Sequence, residues 1–328
     1  MDDNQHSADF YQVEPETIRE FARAVQNGHP AHWDDDAAHS LGYPGLIASA
    51  TFASSIGAIS QGLLFRTATT NHAPSQLLHL EQEIRIHRPV IAGAQLTCRV
   101  AVDSHRRTEN GDLIVLTTVI ADGDATPVQT VHTTLFGRCG MIADRVLEAT
   151  RNIADQSLPN FAPHDAAGVW SAAVPGRALS RNRPASPRTL DIGTEIPPRV
   201  YRLSRTELID YARVSGDHNP IHWNDEVAHA AGLNDVVAHG MLTMGLGADY
   251  LTAYLDDPAC IGEYTVQFSR PVFVPATGRT AVHFTGAIQR VDHRNGTAVV
   301  ALTAYSNGET VFGRATATVR LARPTSTQ

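Results

Sequence analysis

The fold of this chain is indicated by YARVSGDHNPIHWNDEVAHAAGLNDVVAHGMLTM at residues 211–244, because a degenerate copy of its first part, FARAVQNGHPAHWDDDAAHSLGY, occupies residues 21–43. The two copies align without a gap at a shift of 190 residues. Farther along, a shift of 185 residues aligns two Asn-Gly pairs, Asn110-Gly111 and Asn295-Gly296. Repetition over this length indicates one domain used twice.

Each copy contains one long segment that predicts a buried helix. The helices expected near Ser49–Leu64 and His239–Leu255 are apolar or small on nearly every face, as is typical of enclosed helices. Runs rich in β-forming residues flank both Asn-Gly pairs, and this arrangement is a strong hairpin signal. The predicted strands are Leu96–Val102, Leu113–Ile120, Ala281–Val291 and Thr297–Tyr305. The pattern predicts an α+β fold with antiparallel strands.

The segment between the copies is rich in Pro, Ser, Asn, Arg and Ala and has no strong periodicity. We therefore expect domains at 1–138 and 188–328, joined by a linker at 139–187 that contains one helix over Ile142–Ala154. The two halves are expected to pair within the chain as pseudo-subunits. Whether whole chains form a homodimer stays open.

The composition argues against several classes of protein. The chain has 328 residues, 42% hydrophobic content, a net charge of -8 and a pI near 6.0. It is long enough for two cores, and its acidity disfavours a nucleic-acid partner, which clustered Lys and Arg would bind. Three scattered cysteines fit neither a disulfide framework nor a zinc ribbon and favour a reducing cytoplasm. The polar N-terminus and the lack of long apolar runs argue against secretion and a membrane span.

Asp217 and His222 are the strongest candidates for acid and base chemistry. Asn219-Pro220 lies between them and prevents a continuous helix, since proline lacks an N–H and moves the preceding residue out of the helical region. The resulting bend can direct both side chains toward one point. A helix that begins near Gly240 would supply backbone N–H groups to an oxygen that gains negative charge.

The first copy lacks part of this constellation. Asn27 stands where the second copy has Asp217, and Ser49-Ala50 replaces His239-Gly240. An amide cannot exchange a proton near neutral pH. His32 remains in the position of His222, and without a carboxylate partner we expect it to be a packed or hydrogen-bonded remnant.

The motif G-D-x-N-P-x-H at Gly216–His222, followed by a small-residue helix start, resembles the signature of the MaoC-like, or (R)-specific enoyl hydratase 2, family. Through GDHNPIHWNDE, AHGMLTMG and VFGRA, the second half is similar to the catalytic B subunit of actinobacterial (3R)-hydroxyacyl-ACP dehydratases. The first half is similar to their non-catalytic A subunit. The resemblance implies a double hotdog, in which each of two tandem domains wraps an antiparallel sheet around a buried helix. It also implies reversible dehydration of (3R)-hydroxyacyl thioesters of ACP or CoA in fatty acid elongation, without a metal or redox cofactor.

The resemblance also suggests roles for the candidate residues. We expect His222 to act as the base at C2 and Asp217 to handle the hydroxyl or water, with the two roles open to exchange. Asp217 would then be protonated part of the time, which a partly apolar site favours. The Gly240 N–H is the candidate oxyanion donor. Three further residues are expected to orient the loop, the water or the substrate: Asn219, His239 and Ser215.

Room for a long acyl chain is predicted beside the first long helix, where small residues cluster at Ser54, Ser55, Gly57 and Ala58. Two other functions stay open, namely a hotdog acyl-CoA thioesterase and a non-catalytic acyl-binding protein. A metal site built from the four histidines of the second copy is disfavoured because Pro220 interrupts the helical register between the first two. These histidines are His218, His222, His229 and His239.

Overall fold

The computed structural model describes residues 5–67, 76–139, 141–154 and 190–321. The predicted linker at 139–187 lies outside these residues except for Cys139 and the helix α4 (Met141–Ala154), which confirms the helix that the sequence predicts there. No helix in the described ranges is long and apolar enough to cross a membrane.

The two halves repeat the same order of elements. The first half contains β1 (Gln5–Gln12), α1 (Pro15–Ala24), a one-turn 3-10 helix (Pro30–His32), α2 (Asp35–Ser40), α3 (Phe52–Thr67), β2 (Leu77–Ile86), β3 (Gln95–Thr108), β4 (Gly111–Asp122) and β5 (Pro127–Arg138). The second half contains β6 (Glu195–Leu203), α5 (Arg205–Ser215), a one-turn 3-10 helix (Pro220–His222), α6 (Asp225–Ala230), α7 (Gly240–Leu255), β7 (Ile261–Phe268), β8 (Thr280–Asp292), β9 (Thr297–Ser306), β10 (Glu309–Thr310) and β11 (Phe312–Arg320). The repeat seen in the sequence is therefore a structural repeat.

One antiparallel sheet spans both halves in the order β1-β3-β4-β5-β2-β7-β11-β9-β8-β6, with β10 paired to β9. The halves join where β2 pairs with β7, from Glu81 opposite Gln267 to Arg85 opposite Glu263. Side chains reinforce this seam, since Gln267 Nε2 donates to Glu81 at 2.9 Å and Arg85 pairs with Glu263 at 2.9 Å. The expected pairing of the halves, and with it the double hotdog, is confirmed.

Both long helices lie where the sequence predicts them. Helix α7 begins one residue after the predicted start, and its residues from Leu242 to Thr252 are all buried. Helix α3 begins at Phe52, three residues later than predicted, because an isolated β-bridge at Ile47 and a turn at Ala50 and Thr51 precede it. Enclosure of α7 explains its lack of a polar face in the sequence, whereas α3 is buried except on the side of Ala58, Ile59 and Gly62.

The hairpins are confirmed, with longer strands than the sequence predicts. In the first hairpin the turn residues are Glu109 and Asn110, and Gly111 already belongs to β4. Gly111 has φ 151°, and a Cβ there would lie 2.2 Å from the Gly137 carbonyl oxygen, so this position requires glycine. The second hairpin closes through a four-residue turn that ends at Gly296 with φ 62°.

Candidate active site

The loop after α5 is shaped by short hydrogen bonds that the local sequence provides. Gly216 ends the helix in the left-handed region at φ 72°, as is common for a helix C-terminus. Ser215 Oγ donates to the Tyr211 carbonyl at 2.7 Å and accepts from the Asp217 N–H at 3.3 Å. The Asn219 N–H in turn donates to Asp217 Oδ1 at 3.2 Å. These contacts fix the direction of the Asp217 carboxylate.

The bend at Asn219-Pro220 brings Asp217 and His222 together as the sequence predicts. Asp217 Oδ2 lies 3.9 Å from His222 Nε2, and the Asp217 side chain is 41% exposed whereas that of His222 is 9% exposed. His222 Nδ1 donates to the Val237 carbonyl at 2.7 Å. Because this bond places the ring proton on Nδ1, the neutral ring directs the lone pair of Nε2 toward Asp217.

His239 is the N-cap residue of α7, and its side chain lies behind this pair. Its ring stacks on that of His222 with centroids 3.7 Å apart and an interplanar angle of 27°. Nε2 donates to the Asp217 carbonyl at 3.1 Å, while Nδ1 is buried and has no hydrogen-bond partner among the described residues. Although His239 precedes the first helical residue, its side chain does not cap the helix. Its position suits it to hold the Asp217 backbone.

The electrostatics favour an ionised Asp217 beside neutral histidines. Burial by itself would raise the pKa of Asp217, but His239, His222 and the Asn219 N–H together hold that pKa below its ordinary value. Burial lowers the pKa of His222, although the Asp217 charge opposes this effect. Burial also lowers the pKa of His239 to about 3. The expectation of a partly protonated Asp217 is therefore not supported at rest.

A cavity of about 710 Å³ opens in front of Asp217 and His222 and is lined by both halves of the chain. Asn219 and Gly240 also line it, whereas Ser215 and His239 lie behind its wall. Helix α3 of the first half contacts the candidate loop directly, since a Cβ at Gly216 would lie 2.6 Å from Ile59. Gly240 begins α7, so its N–H lacks an acceptor within that helix and is available at the cavity wall.

His79 is a site residue that the sequence analysis does not select. It projects from β2 of the first half into the cavity, where its Nε2 donates to Gln82 Oε1 at 2.8 Å and its ring lies 4.9 Å from that of Phe268. Nearby Asp217 acts on its pKa, which burial lowers. A single histidine in a strand gives no local signal, because its proximity to the loop depends on the pairing of β2 with β7.

The corresponding loop of the first half keeps the geometry, but Asn27 and His32 do not line the large cavity. His32 Nδ1 donates to the Ile47 carbonyl at 2.6 Å, and burial lowers its pKa to about 4. Asn27 Nδ2 donates to Ser49 Oγ at 3.4 Å. The pocket on this side, which Ser49 helps to line, has a volume of only about 20 Å³. His32 is buried and hydrogen-bonded, as the sequence predicts.

One group of described side chains could be considered as a metal site, because its potential ligand atoms all lie within 4.8 Å of one another. It consists of Asp217, His222 and His239. Each ring has already committed one nitrogen to a backbone carbonyl. Stacked imidazoles direct their in-plane lone pairs side by side, so the two rings do not converge on one ion. The alternative set of four histidines does not assemble among the described residues, since His218 and His229 do not join this group.

Comparisons with known proteins find matches for both halves of the chain. Residues 186–306 match the MaoC like domain, and residues 4–131 match the FAS1-like, dehydratase domain region. A UPF0336 protein of Mycobacterium tuberculosis is 38% identical over 132 residues, which are 40% of this chain and 84% of the relative. A UPF0336 protein of Mycobacterium leprae is 39% identical over 132 residues, covering 40% of this chain and 83% of the relative.

Solved structures extend the likeness over the whole chain. A MaoC-like dehydratase superposes with a TM-score of 0.83 at 35% identity, covering 97% of this chain and 98% of the other. A Mycobacterium tuberculosis protein described as a double hotdog fold gives a TM-score of 0.66 at 14% identity, covering 97% of this chain and 96% of the other, and supports the fold alone. The fold is thus that of a double-hotdog protein, and its second half places Asp217 beside His222 at the cavity wall. The chain belongs to the MaoC-like dehydratase family.

Proposed function

We propose that the protein catalyses the reversible dehydration of (3R)-hydroxyacyl thioesters to trans-2-enoyl thioesters. The observation that carries this proposal is the Asp217 and His222 pair, held 3.9 Å apart at the wall of a cavity of about 710 Å³. Removal of water across C2 and C3 requires a group that takes the C2 proton and a group that supplies a proton to the departing hydroxyl. A pair that shares one proton can perform both tasks.

The protonation state of the pair suits this proton transfer. In the dehydration direction, neutral His222 takes the C2 proton on Nε2, and the imidazolium that forms is stabilised by the Asp217 carboxylate. The C3–O bond then breaks, and the same proton leaves with the hydroxyl as water, either from His222 or through Asp217. The pair ends as it began, and hydration follows the same steps in reverse.

The thioester oxygen gains negative charge while the C2 proton is away. The Gly240 N–H at the start of α7 is our candidate donor to that oxygen, because it is unpaired within the helix and the helix dipole adds to the attraction. Gly240 also leaves space that a side chain would occupy, since a Cβ there would lie 3.1 Å from Phe268.

The acyl chain is proposed to lie along α3 in the first half. Ser54 and Ala58 line the cavity, as predicted from the small residues of this helix. Ser55 and Gly57 point elsewhere, because Ser55 Oγ donates to the Phe52 carbonyl and a Cβ at Gly57 would lie 3.1 Å from Thr118. We propose that the substrates are thioesters of long acyl chains with ACP or CoA. The protein is proposed to act in fatty acid elongation in the cytoplasm.

The test is a turnover assay of the full chain with (3R)-3-hydroxyacyl-CoA and (3R)-3-hydroxyacyl-ACP of graded chain length. We expect enoyl thioester to form from the (3R) substrate and not from its (3S) counterpart. Release of free thiol without enoyl product would identify a thioesterase instead. Binding of acyl thioesters without turnover would identify an acyl-binding protein.

A further inference from the structure

A polar network lies in the wall of the cavity on the side of the first half. Gln61 Nε2 on α3 donates to Thr118 Oγ1 and to Thr133 Oγ1, each at 3.0 Å. Thr133 Oγ1 donates to Gln82 Oε1 at 2.9 Å, which also accepts from His79 at 2.8 Å. The network thus connects the neighbourhood of Asp217 with the middle of α3. Such a network is costly to bury unless its polar atoms find partners.

Two atoms of this network have no partner among the described residues. Gln61 uses both bonds of its Nε2 within the protein, which leaves Oε1 as a free acceptor. Gln82 uses its Oε1 twice, which leaves the Nε2 group as a free donor. Both side chains line the cavity, although Gln61 is only 9% exposed and Gln82 only 3%. An acceptor and a donor are therefore presented to the cavity by side chains that are otherwise enclosed.

We propose that these two atoms form a binding subsite for a hydroxyl group carried by the acyl chain, remote from the thioester. A hydroxyl both donates and accepts, so it can donate to Gln61 Oε1 and accept from Gln82 Nε2. An unsubstituted methylene chain would leave both atoms unsatisfied. This inference rests on the proposed function, and it specifies the class of acyl chain that the same site prefers.

The position of the subsite favours the acyl chain over the carrier arm as the ligand. The carrier must leave the cavity where its lining is exposed, at Ile59, Leu80, His218 and Arg270. Gln61 and Gln82 belong instead to the enclosed part of the wall, together with Thr133 at 1% exposure. The acyl chain is the portion of the substrate that reaches this enclosed part.

The second half offers a matched comparison. Leu251 of α7 occupies the position that Gln61 has in α3, and it is fully buried. Gln61→Leu therefore gives α3 the side chain that α7 already has at the equivalent position. Gln129→Met is a control, because Gln129 is also buried in the first half, but both of its amide atoms are bonded within the protein, to Ser54 and to the Ala50 carbonyl.

The experiment compares kcat/KM for (3R)-3-hydroxyacyl-CoA substrates of one length, with and without a second hydroxyl placed at graded positions along the chain. At one position, the native protein should favour the hydroxylated substrate by about tenfold to a hundredfold, as expected when a buried polar pair is satisfied. Gln61→Leu should reduce this preference to near unity, whereas Gln129→Met should leave it unchanged. Gln82→Met is a second variant with the same expectation, and thermal unfolding checks that each variant is folded.

Equal kcat/KM for substituted and plain chains at every position would overturn the inference while leaving the proposed function intact. A preference that survives in both Gln61→Leu and Gln82→Met would also overturn it. Absence of turnover with any hydroxyacyl substrate would contradict the proposed function itself. The two failures are therefore distinguishable.

Discussion

The two loops that follow α1 and α5 share a backbone design and differ in their chemistry. His32 and His222 each donate Nδ1 to a backbone carbonyl, at 2.6 and 2.7 Å. The first loop has the amide of Asn27 where the second has the carboxylate of Asp217. Ser49, the hydrogen-bond partner of Asn27, lines a pocket of about 20 Å³, whereas Asp217 and His222 themselves line a cavity of about 710 Å³. The shared hydrogen bonds preserve the fold of the loop, and only the second copy has a carboxylate beside the histidine.

The two long helices differ in how much open space lies beside them, and here the first half has the more open surroundings. Beside α7 the space is filled by aromatic rings, so that a Cβ at Gly247 would lie 2.3 Å from Tyr264 Oη and 3.1 Å from Phe284. Beside α3 the cavity remains open, and a Cβ at Gly62 would meet no other described atom within 4 Å. The second half holds the Asp217 and His222 pair and packs aromatic rings against α7, while the first half lacks the carboxylate and leaves open space beside α3. Each half supplies what the other lacks.

The largest expected effect comes from substitution of Asp217 or His222. Asp217→Asn and His222→Ala should each lower kcat by about 10²- to 10⁴-fold, because both side chains act on protons in the transition state. The measurement is turnover of a (3R)-3-hydroxyacyl-CoA, with circular dichroism and thermal unfolding to establish that the variants are folded. Near-native turnover in either variant would remove that residue from the mechanism.

The sequence is sufficient to predict the repeat, the hairpins and the Asp217 and His222 pair. Each of these depends on residues close together in the chain, such as the proline that forms the bend between the pair. The order of the joined sheet is different, because the pairing of β2 with β7 connects residues about 180 positions apart. No local pattern encodes that choice of partner.

The residues that the sequence analysis does not select are those brought to the site by this long-range pairing. His79 reaches the cavity from β2, and Gln61 and Gln82 form their network across α3, β2, β4 and β5. In sequence each is an isolated polar residue in an apolar helix or an alternating strand. The neutral state of His222 beside an ionised Asp217 likewise depends on burial and on the stacked His239, which only the assembled fold provides.

A substitution on α3 tests whether the first half provides the space for the acyl chain. Gly62→Leu introduces a side chain at the cavity wall, where a Cβ would meet no other described atom within 4 Å. We expect kcat/KM for long acyl chains to fall about tenfold or more, because binding energy along the tail helps to position the reacting carbons. A four-carbon substrate should be affected less than about twofold, since it does not reach this region.

Gly28→Ala is a matched control for that variant. Gly28 is exposed, has open space where the added methyl group would lie, and does not line the cavity. The substitution should change neither the long-chain nor the short-chain rate. An equal loss on both chain lengths in Gly62→Leu would show that the leucine disturbs the site and not the channel.

The pH dependence of kcat/KM tests whether His222 is neutral in the resting protein. Because burial lowers the pKa of His222, its ring should stay neutral below the ordinary histidine value of about 6.5. The rate requires the neutral ring, so it should be lost only as pH falls through the lowered pKa of His222. At pH 6.5 the native protein should retain more than about half of its maximal kcat/KM. An acidic limb centred above that value would contradict the assigned resting state.

A smaller effect is expected at the first loop. His32→Ala should change turnover by less than about twofold, because the pocket beside it is too small for substrate. It should still lower the free energy of unfolding by about 1–3 kcal/mol, since the Ile47 carbonyl loses its buried donor. Turnover and denaturant unfolding measured on the same preparation separate the two consequences. A loss of rate as large as that of His222→Ala would mean that the chain has two working sites.

The smallest expected effect comes from restoring the missing carboxylate. Asn27→Asp, made in a His222→Ala background, would recreate an Asp and His pair in the first loop, but we expect no recovery of activity. His32 is fully buried, its Nε2 has no hydrogen-bond partner among the described residues, and the adjoining pocket holds about 20 Å³. Substrate therefore has no route to the restored pair. Turnover above that of His222→Ala alone would show that the first half is inactive because it lacks the carboxylate, and not because its interior is closed.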